Sequence, residues 1–486
     1  MTQNGRRRTR LRHPLTVVGM PRERFDLVIV GMGSAGMTAA EFAATLPIKV
    51  CGVERDRVGG DCLWTGCVPS KALLSSAKAA HTMRHADRYG LAASAPVIDR
   101  ARVWARVRAV QEQLAATTDA PEHFTAKGIE LRFGQATLTS ATTMTVGEEE
   151  LEAKHILLCT GGRPAVPPIP GLEEAGYLTS ETLFELTDPP ASIVIIGGGP
   201  IAIELAQAFV RLDIAVTVLQ DMPGILPRED PELVALLTAR LREEGVDLQL
   251  GTRAERVERD AEGMRVVHAG DRRFRAEAIL VATGRAPDVE GLGLEALGVD
   301  VARQGITVDD GQRTSLKSVW AAGDAAGGYL FTHAAGFEAA RAVRNMLFPG
   351  TADDEVLVPW ATFTDPELAH VGMTEAEAVE RFGAGGVEVH RHDLATSDRA
   401  RAEGAELGQI VVVTHKGRIV GGHALAPSAG ELIHELALAV KDSTKLTELA
   451  GLVHVYPTIS LGIQQLAAQA SYAAAQRYRF LVRSSA

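Results

Sequence analysis

Two cysteines five positions apart, Cys62 and Cys67, stand in the segment Gly59-Gly60-Asp61-Cys62-Leu63-Trp64-Thr65-Gly66-Cys67-Val68-Pro69-Ser70-Lys71. A close thiol pair can exchange electrons by opening and closing a disulfide. It can also be two buried apolar-like thiols, or half of a zinc site. The zinc reading lacks a second pair, because the other two cysteines, Cys51 and Cys159, stand alone. No resident metal site is therefore expected. In a straight helix, residues five apart are separated by about 7.5 Å of rise, beyond the usual Cα separation of a disulfide. A bond between Cys62 and Cys67 thus requires a broken helix, and Gly66 or the glycines before Cys62 can supply the break.

The elements that must position this pair announce themselves as an internal repeat. Asp26-Leu27-Val28-Ile29-Val30 runs into Gly31-Met32-Gly33-Ser34-Ala35-Gly36, and Ile193-Val194-Ile195-Ile196 runs into Gly197-Gly198-Gly199-Pro200-Ile201-Ala202. A continuous apolar run, a glycine turn and an Ala-rich amphipathic stretch describe a buried parallel strand feeding a helix. In the first loop Gly31 makes the turn, Gly33 admits a pyrophosphate and Gly36 lets helix and strand pack closely. The helix N-terminus then offers free N–H groups to the phosphates. Glu54, closing Ile48-Lys49-Val50-Cys51-Gly52-Val53, sits where an acid should hold a ribose hydroxyl. In the second loop Gly197 and Gly199 recur, and Ala202 takes the third glycine's place. A second repeated piece closes each unit: Ile156-Leu157-Leu158-Cys159-Thr160-Gly161 and Ile279-Leu280-Val281-Ala282-Thr283-Gly284. The chain thus carries two dinucleotide-binding units in series.

The bulk properties agree. A length of 486 residues suggests about three domains. An apolar content of 46% and a charged content of 23% are those of an ordinary globular protein. The net charge of −11 argues against nucleic-acid binding. Four cysteines in so long a chain fit a reducing, cytoplasmic compartment rather than a secreted disulfide framework. No apolar run is long enough to span a bilayer. Arg6, Arg7, Arg8, Arg10 and Arg12 crowd an N-terminal stretch without periodicity, which reads as a disordered basic tail over 1–23. Beyond residue 352 the pattern changes to strands near 407–413 and 419–422 and helices near 429–442 and 461–478, an α+β unit.

The segment Gly60–Lys71 resembles the redox motif of the class I pyridine nucleotide-disulfide oxidoreductases, a family that includes mercuric reductase, dihydrolipoamide dehydrogenase and glutathione reductase. The resemblance continues at Gly197 to Glu204, at Ala321-Ala322-Gly323-Asp324 and at Phe363-Thr364-Asp365-Pro366. It implies an α/β fold of glutathione reductase type, with two Rossmann-type domains and an α+β dimerisation domain. The implied limits are 24–157 and 286–351 for the two parts of an FAD-binding domain, 158–285 for an NAD(P)-binding domain and 352–486 for the interface domain. It implies FAD, NAD(P)H, a Cys62–Cys67 disulfide and a homodimer. Cys67 is implied as the thiol in charge-transfer contact with the flavin, and Cys62 as the thiol that attacks the substrate. Lys71 and Glu204 are implied as the ion pair that favours reduced flavin, and Gly323 and Asp324 as a second FAD motif. Gly31, Gly33, Gly36, Glu54, Gly60, Thr160, Gly161 and Gly284 complete the implied cofactor contacts.

Two positions depart from the family. At the nucleotide-specificity position stands Gln220, neither an acid for NADH nor an arginine for NADPH, and its lack of charge favours NADPH. At the substrate end the family's reductases of small disulfides carry a His-Pro-Thr signature with a glutamate following, a dyad that shuttles protons. Here Tyr456 replaces the histidine and Leu461 the glutamate, and no His, Asp, Glu or Cys follows Tyr456. A phenol with a pKa near 10 is a poor base at neutral pH. The departure points to a mercuric-reductase-like enzyme acting on a small-molecule disulfide or a metal ion. Dihydrolipoamide oxidation, quinone reduction and non-enzymatic redox sensing are the competing readings, and His454 is an alternative base.

Overall fold

The structure is a computed structural model that describes residues 23–349 and 356–476. The Arg-rich N-terminal stretch lies outside the described residues.

Strands β1 (Glu23–Val30), β2 (Val50–Glu54) and β3 (Glu130–Phe133) run parallel, and β4 (Ala136–Leu138), β5 (Thr143–Val146) and β6 (Glu149–Leu158) form a meander on the other side. The sheet order is β3-β2-β1-β6-β5-β4, and a strand from much later in the chain, Val319–Ala321, pairs in parallel with β6. Leu27, Val28 and Ile29 are wholly buried, as a central parallel strand covered on both faces must be. Helix α1 (Ser34–Ala44) leaves the glycine turn and lays Ala35, Ala39, Ala40 and Ala43 on the sheet. A Cβ on Gly36 would collide with the Gly31 carbonyl, so only glycine lets the helix start this close to β1.

Two helices follow β2. The first, α2 (Gly60–Trp64), is a single short turn; the second, α3 (Cys67–Arg84), is long. The break expected at Gly66 is present: its φ of −127° and ψ of −109° are not helical, and Thr65 and Gly66 separate the two helices.

The second sheet is fully parallel: β7 (Ser192–Ile196), β8 (Ala215–Gln220), β9 (Asp247–Leu250) and β10 (Ala278–Val281), in the order β9-β8-β7-β10. Its helix α4 (Pro200–Arg211) begins with Pro200 at the first helical position. Helix α5 (Thr332–Leu347) packs back on α1 of the first sheet. The C-terminal part holds five strands, β11 (Trp360–Thr362), β12 (Glu367–Gly372), β13 (Val387–Asp393), β14 (Gln409–His415) and β15 (Arg418–Ala426), antiparallel in the order β11-β12-β15-β14-β13. Helices α6 (Ala429–Lys441) and α7 (Leu461–Gln476) belong to the same part. The whole is a mixed α/β fold with two dinucleotide-type sheets and an α+β unit. No helix among the described residues is long and apolar enough to cross a membrane.

Candidate active site

The break between α2 and α3 brings Cys62 and Cys67 together. Cys62 lies in α2, and Cys67 opens α3. Both thiols are unbridged, and the Cys62 thiol hydrogen-bonds to Cys67. This bond, together with Thr332 and the positive charge of Lys71, outweighs burial and pulls Cys67 down to about 6. Cys62 moves the other way: its bond to Cys67 and its burial both raise it. The pair therefore holds one proton on Cys62 and negative charge on Cys67. Thr332, the first residue of α5, places its Oγ1 3.2 Å from Cys67 Sγ.

Lys71 follows Cys67 by four residues on α3, one helical turn away on the same face. Its Nζ lies 2.9 Å from Glu204 Oε2; the Glu204 side chain is almost fully buried at 7%, whereas that of Lys71 is 38% exposed. The second Glu204 oxygen accepts the Phe363 backbone N–H at 2.8 Å, and the Phe363 ring sits 4.2 Å under the Lys71 ammonium. One α4 face continues the contact: Gln207 pairs with the Asp365 backbone, and Arg211 bonds Asp365 Oδ2 at 2.9 Å.

The two glycine loops fit dinucleotides. Gly33 and Gly199 are extended residues that precede α1 and α4, leaving the helix N-termini open to phosphate. A Cβ on Gly60 would lie 2.7 Å from Gly33 Cα, so the redox segment and the first loop meet backbone to backbone. Glu54 ends β2 and accepts the Met32 N–H at 2.8 Å, which holds its carboxylate beside the loop. The Thr160 hydroxyl is buried and has no hydrogen-bond partner among the described residues, a group that a dinucleotide can satisfy. Gly161 and Gly284 both have positive φ, and a Cβ at either would meet nothing within 4 Å among the described residues. Asp324 accepts Arg285 Nε at 2.9 Å, and Arg285 also pairs with Asp61 and donates to the Gly162 carbonyl at 2.8 Å. The Gly323 N–H goes to Glu338.

Gln220 ends β8, the position Glu54 holds on β2, but its side chain is turned inward. It is buried, donates Nε2 to the Gly224 carbonyl at 3.3 Å and packs against Gly198. Arg228 lies over Trp360 and Tyr329, with its guanidinium carbon 4.8 Å and 5.5 Å from the ring centres.

At the C-terminal end, Tyr456 is 66% exposed and its hydroxyl donates to Asp398 Oδ2 at 3.1 Å. That bond and the Asp398 charge raise its pKa from the ordinary phenol value. His454 is engaged inside the chain. Its Nε2 lies 2.9 Å from Glu435 Oε1, its Nδ1 3.3 Å from the Leu452 carbonyl, and its side chain is 5% exposed. Leu461 begins α7. Thr332, Arg285 and the Phe363 side chain were absent from the sequence reading. Arg285 directly follows the repeated Thr-Gly piece and Phe363 opens a quoted motif. Thr332 carries no local signal, since its role depends on where α5 starts.

Residues 25–339 match the pyridine nucleotide-disulphide oxidoreductase family, and residues 358–467 match its dimerisation domain. A mercuric reductase of Shigella flexneri is 35% identical over 459 residues, covering 91% of this chain and 80% of the relative. A dihydrolipoyl dehydrogenase of Haloarcula marismortui is 33% identical over 472 residues, covering 93% of this chain and 98% of its own. Among solved structures, the Cu(II) complex of the HOCl-induced flavoprotein disulfide reductase RclA of Escherichia coli superposes with a TM-score of 0.83. It is 28% identical and the match covers 93% of this chain and all of that one.

Proposed function

Because the chain belongs to the pyridine nucleotide-disulphide oxidoreductase family, whose members use FAD and NAD(P)H, we propose that Cys62 and Cys67 are its redox pair and a reducible metal ion its oxidant. When bound, FAD supplies two-electron transfer between the nicotinamide and sulfur. The protein's residues do the rest. Lys71, held by Glu204, places a cation where negative charge accumulates on reduction. Cys67 holds thiolate at neutral pH, and Cys62 keeps the shared proton until it is needed as nucleophile or ligand.

The observation that carries the choice of oxidant is Tyr456. Reducing a disulfide requires a proton for the leaving thiolate. Tyr456 is a phenol tied to Asp398 and shifted away from neutral pH, and His454 is buried against Glu435. Binding a metal ion to two thiolates asks only for loss of the shared proton, which solvent can take. The relative named as a mercuric reductase and the copper complex of the structural neighbour support the same reading.

The enzyme is read as a homodimer, in keeping with its dimerisation domain, with Tyr456 reaching the partner's redox pair. NADPH is read as the donor on the neutrality of Gln220. Only four cysteines in a chain of 486 residues suit a reducing, cytoplasmic compartment.

The test is anaerobic turnover with Hg(II), Cu(II), lipoamide, glutathione disulfide and quinones, for the wild type and Cys62→Ser. Metal-ion reduction that vanishes in Cys62→Ser, with quinone reduction spared, supports the reading. Rapid lipoamide turnover by the wild type overturns the choice of oxidant.

A further inference from the structure

Three groups bear on the Lys71 ammonium: it contacts the Glu204 carboxylate and the face of Phe363, and its charge acts on Cys67 one turn away on the same helix. Phe363 is the odd member, because it comes from the C-terminal part of the chain, just after β11. It holds the ion pair twice over. Its backbone N–H fixes one Glu204 oxygen at 2.8 Å, leaving the other for Lys71, and its ring lies 4.2 Å beneath the ammonium. An aromatic face attracts a cation and excludes water from one side of it. Lys71 needs such help. With 38% of its side chain exposed, it borders a cleft of about 620 Å³ shared with Phe363, Lys78 and Asp365. A long flexible amine in such a setting would otherwise sample many rotamers.

We propose that Phe363 is a positioning residue that fixes the Lys71 ammonium beside the redox pair, so that the C-terminal domain governs how readily Cys67 carries negative charge. This rests on the reading of Cys62 and Cys67 as the redox pair. The Phe363 side chain acts through Lys71, since the sulfur's own hydrogen-bond partners are Cys62 and Thr332, and the Glu204 charge that opposes Lys71 at Cys67 is held by the Phe363 backbone N–H, which every substitution keeps. The coupling gives the family's division of labour a physical route. The loop 363–366, gripped by Glu204, Gln207 and Arg211 of α4, carries the placement of the C-terminal sheet to the thiol.

The experiment uses the FAD-loaded enzyme carrying Cys62→Ser, in which the long-wavelength absorbance of a thiolate beside flavin reports Cys67 alone. Its pH midpoint is compared in that background alone and with Phe363→Leu, Phe363→Trp, Lys71→Met and Phe363→Leu/Lys71→Met. The expected result is a rise of about half a unit for Phe363→Leu and about one unit for Lys71→Met. Phe363→Trp keeps the original midpoint, and the double variant matches Lys71→Met. An unchanged midpoint in Phe363→Leu overturns the proposal. So does an equal shift from Phe363→Leu when Lys71 is already gone, which would mean a merely structural effect. Absence of the band at every pH, with flavin bound, overturns the redox-pair reading itself and this proposal with it.

Discussion

A thiolate held near pH 6 beside a thiol that keeps its proton is an asymmetric arrangement, and hydrogen bonds dominate it. The largest influence on Cys67 is the Cys62 S–H, and Thr332 and Lys71 act in the same direction against burial. The sign of the pH dependence follows. Protonation as pH falls through about 6 removes the negative charge, so the thiolate absorbance of the reduced enzyme should fade below that point and hold steady above it. Thr332→Val keeps the shape and removes one donor. We expect its midpoint to rise by roughly one to two units, the scale of a hydrogen bond to a charged group. A spectral pH titration of NADPH-reduced wild type and variant measures both. A Thr332→Val midpoint equal to the wild type's would show that the 3.2 Å contact contributes nothing. At the nucleotide end, Gln220→Glu restores the acid that β8 lacks. It should raise the NADH-to-NADPH ratio of kcat/KM by about tenfold, and an unchanged ratio would move specificity away from this position.

At the scale of elements, close backbone approach decides most of what happens. Gly36→Ala drives a methyl group into the Gly31 carbonyl at the start of α1. The helix must shift from β1, at a cost of about 1–3 kcal/mol, and its N-terminus leaves the phosphate position. Thermal melting and FAD content after purification should both fall, and a variant that stays fully yellow with an unchanged Tm would refute the packing argument. These elements were legible in the sequence because their periodicities are local. The all-apolar runs of β1 and β7, the glycine turns and the break between Cys62 and Cys67 each depend on a few neighbouring residues. Contacts made by topology were not legible. Arg285 bridges Asp61 and Asp324 across more than 200 residues of sequence on one side, and the ring of Phe363 meets Lys71 only because the C-terminal sheet docks on α4. Gln220 illustrates the same limit from the other side. Its position at the strand end was readable, but the inward turn of its amide toward Gly224 depends on a loop whose path no local pattern specifies.

At the scale of the whole molecule, the C-terminal loop presents a surface that one chain alone leaves in water. Val453 is 93% exposed, Val455 76% and Tyr456 66%, apolar or aromatic tips on either side of His454, whose side chain is the buried anchor. Such a patch is suited to burial against a second copy, which is what the dimerisation domain provides for. If Tyr456 serves the partner's thiols, catalytic defects should complement between subunits. In a heterodimer of Cys62→Ser with Tyr456→Ala, one site combines both lesions. The other joins an intact Cys62 from the second subunit to an intact Tyr456 from the first. Random reassociation of equal amounts makes half the dimers mixed, each with one good site of two, so metal-ion turnover should recover to about a quarter of the wild-type value. Were Tyr456 to act on its own chain's cysteines, every subunit in the mixture would stay defective. The measurement is specific activity of each variant homodimer alone, where loss of turnover in Tyr456→Ala first shows that the phenol is needed, and then of the two variants after they are co-refolded or subunit-exchanged. Recovery near a quarter assigns the phenol to the partner's site, and a flat baseline, with mixed dimers shown by native mass spectrometry, returns it to its own.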